Sequence, residues 1–352
     1  MNNNHNSESN QEGFSIIIPV YNGENTLPDT LRSVSGLDFD HYELIVVDDG
    51  STDDSASIAR SNGAKVVCLG DNAGPANARN QGAKHASYDK LLFTDSDVLV
   101  PKKLLQQLDD QFRSSKADAV QGTFSEVCPF ANYFSQYKNL YNRFALNQLP
   151  DWIDTTFTSI TAVRRQVFLD CGGFDSNIRT ASVEDRTLGR NLMQSNFRIR
   201  LDRSLQVIHN KKLTLSGFIR NQFRRSRDLA KLLLRNRCEP ESELPDTTDL
   251  SSGDESGRFG TNSLATMIRI PFAYSILGLL LVAPFASVFG IMAALFFLAF
   301  LALIWRFEKE LLLRRGIKFA LWGILVNFMD ALVSGVGVGL GIVEFICFRR
   351  IY

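Results

Sequence analysis

The sequence predicts an α/β domain built on a mainly parallel sheet flanked by helices, followed by C-terminal transmembrane helices. Three observations carry that prediction. Short, continuous apolar runs alternate with helical patterns over residues 14–94, as expected of strands buried on both faces. Acidic pairs close two of those runs. From Ile270 to Trp305, 36 residues pass without a charged side chain.

The elements follow in chain order. Phe14 to Pro19 is an apolar run that enters a turn at Tyr21-Asn22-Gly23. Thr26 to Val34 places Leu27, Leu31 and Val34 on one helical face. A second run, Tyr42 to Val47, ends in Asp48-Asp49-Gly50-Ser51-Thr52. A helix near Asp53–Asn62, a strand at Ala64–Leu69 and a helix from about Pro75 to His85 come next. The run Lys90 to Thr94 then ends in Asp95-Ser96-Asp97. In such sheets ligands bind at the carboxyl ends of the strands, which is where both acidic clusters fall. Carboxylates gathered there repel one another unless a cation or hydrogen-bond donors join them. A hard divalent cation shared with substrate phosphates is the usual partner. Asp38-Phe39-Asp40 repeats the D-x-D pattern but precedes a strand, so it is set aside. For Asp48 and Asp49, helix capping is an alternative to ligand binding.

The averages hide how the chain is organised. Its 38 basic and 38 acidic residues cancel, and 45% of it is hydrophobic, which describes an ordinary soluble domain. Residues 1–210 are nevertheless acidic, with 20 basic and 26 acidic side chains. Residues 211–237 carry nine basic residues and one acid, and residues 238–256 carry seven acids and no base. Nine basic and four acidic residues occupy 257–352. A zero net charge argues against a nucleic-acid partner. Five cysteines without a C-x-x-C pair suggest neither a zinc knuckle nor a disulfide framework, and fit a reducing compartment.

A helix spanning 270–305 would be about 54 Å long, against a hydrocarbon core of about 30 Å. Two closely spaced helices with a break near Pro284 or Gly290 are therefore expected. The charged stretch Arg306–Lys318 follows, and then the apolar segment Phe319–Phe348, interrupted only by Asp330 and Glu344. That segment reads either as a third span or as a bent, re-entrant one turning at Gly335–Gly341. No apolar run opens the chain, so no signal peptide is expected and the first domain should stay in the cytosol. The basic 306–318 connection returns to the same side under the positive-inside rule. These readings give a disordered tail at 1–12, the α/β domain at 13–210 and a basic amphipathic interfacial helix at 211–237. An acidic flexible linker at 238–262 and a transmembrane domain at 263–352 complete the division. The basic helix is expected in the headgroup layer, with docking on the α/β domain as the alternative. The expected location is the cell inner (cytoplasmic) membrane, multi-pass.

Taken together, IIIPVYNGE, VVDDGSTD, NAGPANARNQG and FTDSD, in this order and spacing, resemble glycosyltransferase family 2, whose fold is GT-A. Farther on, FTSITAVRRQVFLDCGGFDSNIRTASVEDRTLGRNL resembles the acceptor-side half of that family, and LQVIH its closing segment. The likeness covers roughly residues 14–227. It implies an inverting, metal-dependent transfer of a sugar from a nucleotide-diphospho sugar to a hydroxyl acceptor that is lipid-linked or membrane-associated. Pro19, Tyr21, Glu24, Asp48 and Asp49 match the positions that hold the base and ribose. Asn72, Gly74, Arg79 and Asn80 would complete the nucleotide pocket, with Arg79 on the diphosphate and Asp95 adjoining it. Asp95 and Asp97 match the pair that binds Mg²⁺ or Mn²⁺, and His209 falls where a group near the metal is often found. A strand-end histidine with a satisfied hydrogen bond is the other reading of His209.

The resemblance makes Asp185, in the Glu184-Asp185 pair after Gly172-Gly173-Phe174-Asp175, the catalytic base, with Glu184 on the acceptor side. From residues alone, the same pair reads as N-terminal helix charges. Gln222 and Arg225 match the acceptor-side Q-x-x-R-W motif of processive synthases, but Ser226 replaces the aromatic residue. That departure points to transfer of one or a few sugars. The alternatives are a polyprenyl-phosphate glycosyltransferase and a non-catalytic nucleotide-binding membrane protein.

Overall fold

The computed structural model describes residues 11–238 and 261–348. Residues 1–10 of the tail expected at 1–12, most of the acidic 238–262 stretch and the last four residues lie outside them; Gln11 and Glu12 instead begin the first strand. The chain divides into two compact units, one of residues 1–123 and 151–210, the other of residues 124–150 and 211–352.

The first unit holds a mixed sheet in the order β3-β2-β1-β4-β8-β6-β9-β5, with β7 paired to β9. Half of it is the parallel α/β array that the alternating pattern predicts. β1 (Gln11–Val20) lies between β2 (Tyr42–Asp48) and β4 (Tyr88–Phe93), and β3 (Lys65–Cys68) is the edge strand. Ile16, Ile17, Ile18, Ile45, Val46 and Val47 are fully buried, which explains why these strands read as unbroken apolar runs. Helices α1 (Leu27–Ser35), α2 (Ser55–Ser61) and α3 (Pro75–Lys84) supply the crossovers. Because β1, β2 and β4 are parallel, Tyr21, Asp48, Asp49 and Asp95 all leave the sheet at one edge.

The other half is antiparallel. The short β5 (Val98–Leu99) and α4 (Leu104–Ser114) lead into β6 (Ala119–Phe124). After β7 (Trp152–Ile153) come β8 (Thr161–Arg164), α6 (Arg165–Asp170), α7 (Glu184–Gln194) and the long β9 (Ile199–His209). β8 pairs antiparallel with both β4 and β6, and β9 pairs antiparallel with β5 and β7. In the β5–β9 register Val98 faces His209, which brings the end of β9 back beside the end of β4.

The second unit is helical: α5 (Tyr133–Asn147), α8 (Leu215–Cys238), α9 (Thr261–Val282), α10 (Ser287–Arg315) and α11 (Ile317–Phe348). Three of its segments, Met267–Phe285, Ser287–Arg315 and Ile317–Phe348, are long and apolar enough to cross a membrane. The predicted break falls at Pro284, in a 3₁₀ turn over Ala283–Phe285. α11 is continuous, so the turn offered as one reading of Gly335–Gly341 is absent. These glycines instead admit a neighbour. A Cβ at Gly337 would sit 2.6 Å from the carbonyl oxygen of Phe223, and one at Gly341 2.4 Å from that of Arg227. Glycine at both places lets α8 lie directly on α11.

An aromatic cluster ties α5 to the C-terminal helices. Tyr137 and Leu140 pack with Phe218, Phe307, Leu311 and Val326, and the Tyr137 and Phe307 rings meet edge to face at 5.4 Å. Arg314 pairs with Glu126 and Glu310 at the base of α10. The Phe124–Pro150 segment thus belongs with the C-terminal helices, although in sequence it lies within the α/β region.

Candidate active site

The turn after β1 is stitched to the turn after β2. Asn22, at φ 50°, accepts a hydrogen bond on Oδ1 from the Thr52 N–H (2.8 Å), and its own N–H donates to Ser51 Oγ. The Glu24 N–H donates to Asp53, and the Gly23 N–H to the buried Ser55 hydroxyl. Tyr21 is left half exposed above this platform, and Pro19 lies in β1 beneath it.

The adjacent acids divide their work. Asp48 Oδ1 accepts from the Ser51 N–H at 3.1 Å. Asp49 uses both oxygens to hold the following loop, accepting from the N–H of Ala73 (2.9 Å) and of Gly74 (2.8 Å). Burial raises the Asp49 pKa, these backbone donors oppose the rise, and the neighbouring Asp48 adds to it. Gly74 has φ +93°, and a Cβ there would lie 2.3 Å from the Arg179 carbonyl oxygen. The Asn72 loop is therefore anchored on one side by Asp49 and pressed on the other by the 179 segment.

Arg79, on α3, is the centre of the site. It is 3% exposed and donates to Asp95 Oδ1 at 2.7 Å and to Glu184 Oε1 at 3.3 Å. Its guanidinium lies 5.5 Å from the Phe174 ring centroid, and its Nε has no hydrogen-bond partner. Burial alone would lower its pKa, but the carboxylates of Asp95 and Glu184 raise it, so it stays charged. Asp95 Oδ2 accepts from Ser159 Oγ at 2.7 Å. Both Asp95 oxygens therefore have protein partners. Asn80 clamps the glycine-rich turn, donating to the Phe174 carbonyl at 2.8 Å and accepting from the Phe174 N–H at 3.0 Å.

Glu184 and Asp185 open α7. Glu184 is 4% exposed, and its Oε2 accepts from the Ser182 N–H at 2.7 Å. Asp185 Oδ1 accepts from the Arg186 N–H, while its carbonyl oxygen accepts from the Thr156 hydroxyl at 2.7 Å. Across the strand ends, His209 Nε2 lies 3.5 Å from Asp97 Oδ1. The donor types, one carboxylate and one imidazole nitrogen, suit a divalent cation that takes its other ligands from phosphate oxygens. Among the described residues, no group of three or more histidine, cysteine, aspartate or glutamate side chains is arranged to hold a metal ion.

The structure thus brings Arg79, Asp95, Glu184 and Asp185 into one cluster and joins Asp97 to His209. Gln222 and Arg225 belong to the second unit, where the Gln222 amide donates to Asp330 and accepts from Lys138. Sequence reasoning had not singled out Ser159 or Thr156. Both lie within or just before the FTSI segment of the resemblance, but neither sits at a strand end with an acidic neighbour.

Comparisons with known proteins bear on the family and the fold. The Glycosyl transferase family 2 model matches residues 15–172, from β1 through the turn after α6. Residues 15–172 belong to glycosyl transferase family 2. The chain is 28% identical over 236 residues to the poly-β-1,6-N-acetyl-D-glucosamine synthase of Staphylococcus aureus, covering 64% of this chain and 56% of that protein. To the enzyme of the same name from Staphylococcus epidermidis it is 36% identical over 116 residues, 32% of this chain and 28% of that one. The chain therefore spans little more than half the length of the curated relatives. A mannosyltransferase from Pyrobaculum calidifontis, solved with GDP-Man and Mn²⁺, aligns at TM-score 0.59 and 15% identity, over 97% of this chain and 89% of that one. At that identity it speaks for the fold alone, which is GT-A.

Proposed function

We propose that this protein is a membrane-anchored inverting glycosyltransferase that moves a sugar from a nucleotide-diphospho sugar to a hydroxyl on a lipid-linked or saccharide acceptor. The observation that carries the reading is the cluster at the sheet edge, where Arg79 bridges Asp95 to Glu184 immediately before Asp185. Pro19, Tyr21, Glu24, Asp48 and the Asn72 loop held by Asp49 form the nucleotide side. Asp97 and His209, with Asp95 beside them, would hold a divalent cation. When bound, that cation neutralises charge on the departing diphosphate.

Asp185 accepts the proton of the acceptor hydroxyl as its oxygen forms a bond to the anomeric carbon. The bond from that carbon to the diphosphate breaks on the opposite face, so the configuration inverts. Glu184 is buried and engaged by Arg79 and Ser182, so it orients the start of α7. The named activity of the staphylococcal relatives, formation of a β-1,6-linked polymer, favours a hydroxyl over a lipid phosphate as the attacking group. Ser226, in place of the aromatic residue of processive enzymes, favours transfer of one or a few sugars. The five basic residues of 306–318 favour a catalytic domain on the cytosolic face of the inner membrane.

Asp185→Asn tests this reading. Transfer from a panel of labelled nucleotide sugars is expected to fall by about 10²–10⁴-fold, with donor affinity by calorimetry unchanged. Near-normal turnover in the purified variant would remove Asp185 from its role, and transfer indifferent to EDTA would remove the cation.

A further inference from the structure

Composition marks α11 as a membrane span, yet the partner fixed along its C-terminal half is basic. Gln222 Nε2 donates to Asp330 Oδ1 at 2.6 Å, and Lys231 Nζ lies 2.6 Å from Glu344 Oε2. Between these points, Phe223 and Arg227 present their carbonyl oxygens to Gly337 and Gly341. The contacts 222 with 330, 223 with 337, 227 with 341 and 231 with 344 advance together, so the two helices run side by side in the same direction. α9 meets α11 at one end of this pairing. Arg269 NH2 lies 3.4 Å from Asp330 Oδ2, and the Tyr274 hydroxyl donates to the Leu332 carbonyl at 2.8 Å.

These contacts constrain the path of the chain. From Asp330 to Phe348, α11 rises about 27 Å, close to the thickness of a hydrocarbon core. If it crossed there, α8 would cross beside it with Arg224, Arg225, Arg227, Lys231, Arg235 and Arg237 on board. Charged side chains at that depth are strongly disfavoured. The end of α8 would also emerge on the far side, while Arg269 of α9 stays at the level of Asp330. The intervening sequence holds seven acids and no base over 238–256, a composition that does not partition into lipid.

We infer that α11 does not cross the bilayer: with α8 it lies along the membrane surface, and its C-terminal end stays on the side of the basic α10–α11 connection. The inference rests on the membrane anchoring proposed above. The partner of this surface is a lipid layer. Val336, Leu340, Val343 and Ile346 form an exposed apolar face, between 39% and 66% accessible, that enters the acyl boundary. α8, packed on the Gly337–Gly341 side, meets the headgroups with its arginines. Only the α9–α10 hairpin, with its uncharged turn at Ala283–Phe285, then enters the hydrocarbon.

The test uses the full chain in sealed membrane vesicles of both orientations. Cys347 is exposed and serves as the C-terminal probe in a background with Cys68, Cys128, Cys171 and Cys238 changed to Ser. A second protein carries Lys318→Cys with Cys347→Ser and reports the α10–α11 connection. A membrane-impermeant maleimide is expected to label both from the same face. Labelling from opposite faces overturns the inference. If lipid shields Cys347 from both faces, protease removal of a C-terminal epitope tag decides: loss from the Lys318 face supports the inference, and loss from the other face refutes it. Resistance to carbonate extraction is read in parallel. A protein that washes off the membrane shows failure of the anchoring, whereas retention with opposite-face labelling shows failure of the surface placement alone.

Discussion

Replacing Arg79 by Met should unsettle the first unit more than any single surface change. The guanidinium is 3% exposed and serves two acids, Glu184 at 4% residue exposure and Asp95 with 27% of its side chain exposed. Removing one partner of a buried ion pair costs about 3–5 kcal/mol, because the remaining charge is left desolvated. Asp95 reaches water in part, which screens its share. The expected loss is therefore at the lower end, about 3 kcal/mol. For a unit of this size, about 2–4 °C of Tm accompanies each kcal/mol, so the melting point should fall by roughly 6–12 °C. The assay must isolate the first unit. Trp305→Phe and Trp322→Phe leave Trp152 as its fluorescent reporter, since the chain has three tryptophans. Arg79→Met with Glu184→Gln removes one stranded carboxylate and should recover about 1–2 kcal/mol, within the usual coupling range of contacting residues. A melting point lowered by less than about 2 °C in the single variant, or a double variant that loses the sum of both singles, would refute the bridge.

Two further outcomes follow from other parts of the molecule. Gly74→Ala forces a Cβ to within 2.3 Å of the Arg179 carbonyl oxygen at φ +93°. It should cost about 1–3 kcal/mol and weaken nucleotide binding through the Asn72 loop, as read by calorimetry with the free nucleoside diphosphate. Unchanged affinity and melting would show that the 179 segment yields freely. In the second unit, burial first and then Arg225 push the Lys138 amine down to about 7. The unfolded chain holds that proton up to about 10.4, so it binds more protons than the folded one between the two values, and stability rises with pH across that window. Modification of Lys138 by an amine-reactive reagent, followed by peptide mass spectrometry, should reach half its maximal rate near pH 7. A midpoint above 9 would contradict the buried setting.

The parallel half of the sheet was legible in the sequence because strands buried on both faces leave unbroken apolar runs, and Ile16–Ile18 and Ile45–Val47 are such strands. The acids after them were legible for a related reason. A carboxylate at the end of an apolar strand has no packing role, so Asp48, Asp49, Asp95 and Asp97 stand out. The antiparallel half was less legible, since β5 and β7 are two residues each and carry no period to read. The break at Pro284 was visible because 36 uncharged residues are too long for one span and proline lacks the N–H of a continuing helix, although α9 runs through Pro271. Glycines were ambiguous: Gly335–Gly341 fits a turn or a close approach equally well by composition.

What the sequence by itself determined, then, was the order of strands and helices over residues 14–94, the chemistry available at the strand ends and the apolar lengths of the C-terminal segments. These depend on neighbours along the chain. The tertiary structure alone decided which acids meet. Arg79 reaches Glu184 across 105 positions of sequence, and His209 faces Asp97 only through the β5–β9 register. It also assigned Phe124–Pro150 to the C-terminal helices and laid a basic helix along an apolar one. Contacts between distant segments are set by packing and desolvation in three dimensions, and no local pattern of residues encodes them.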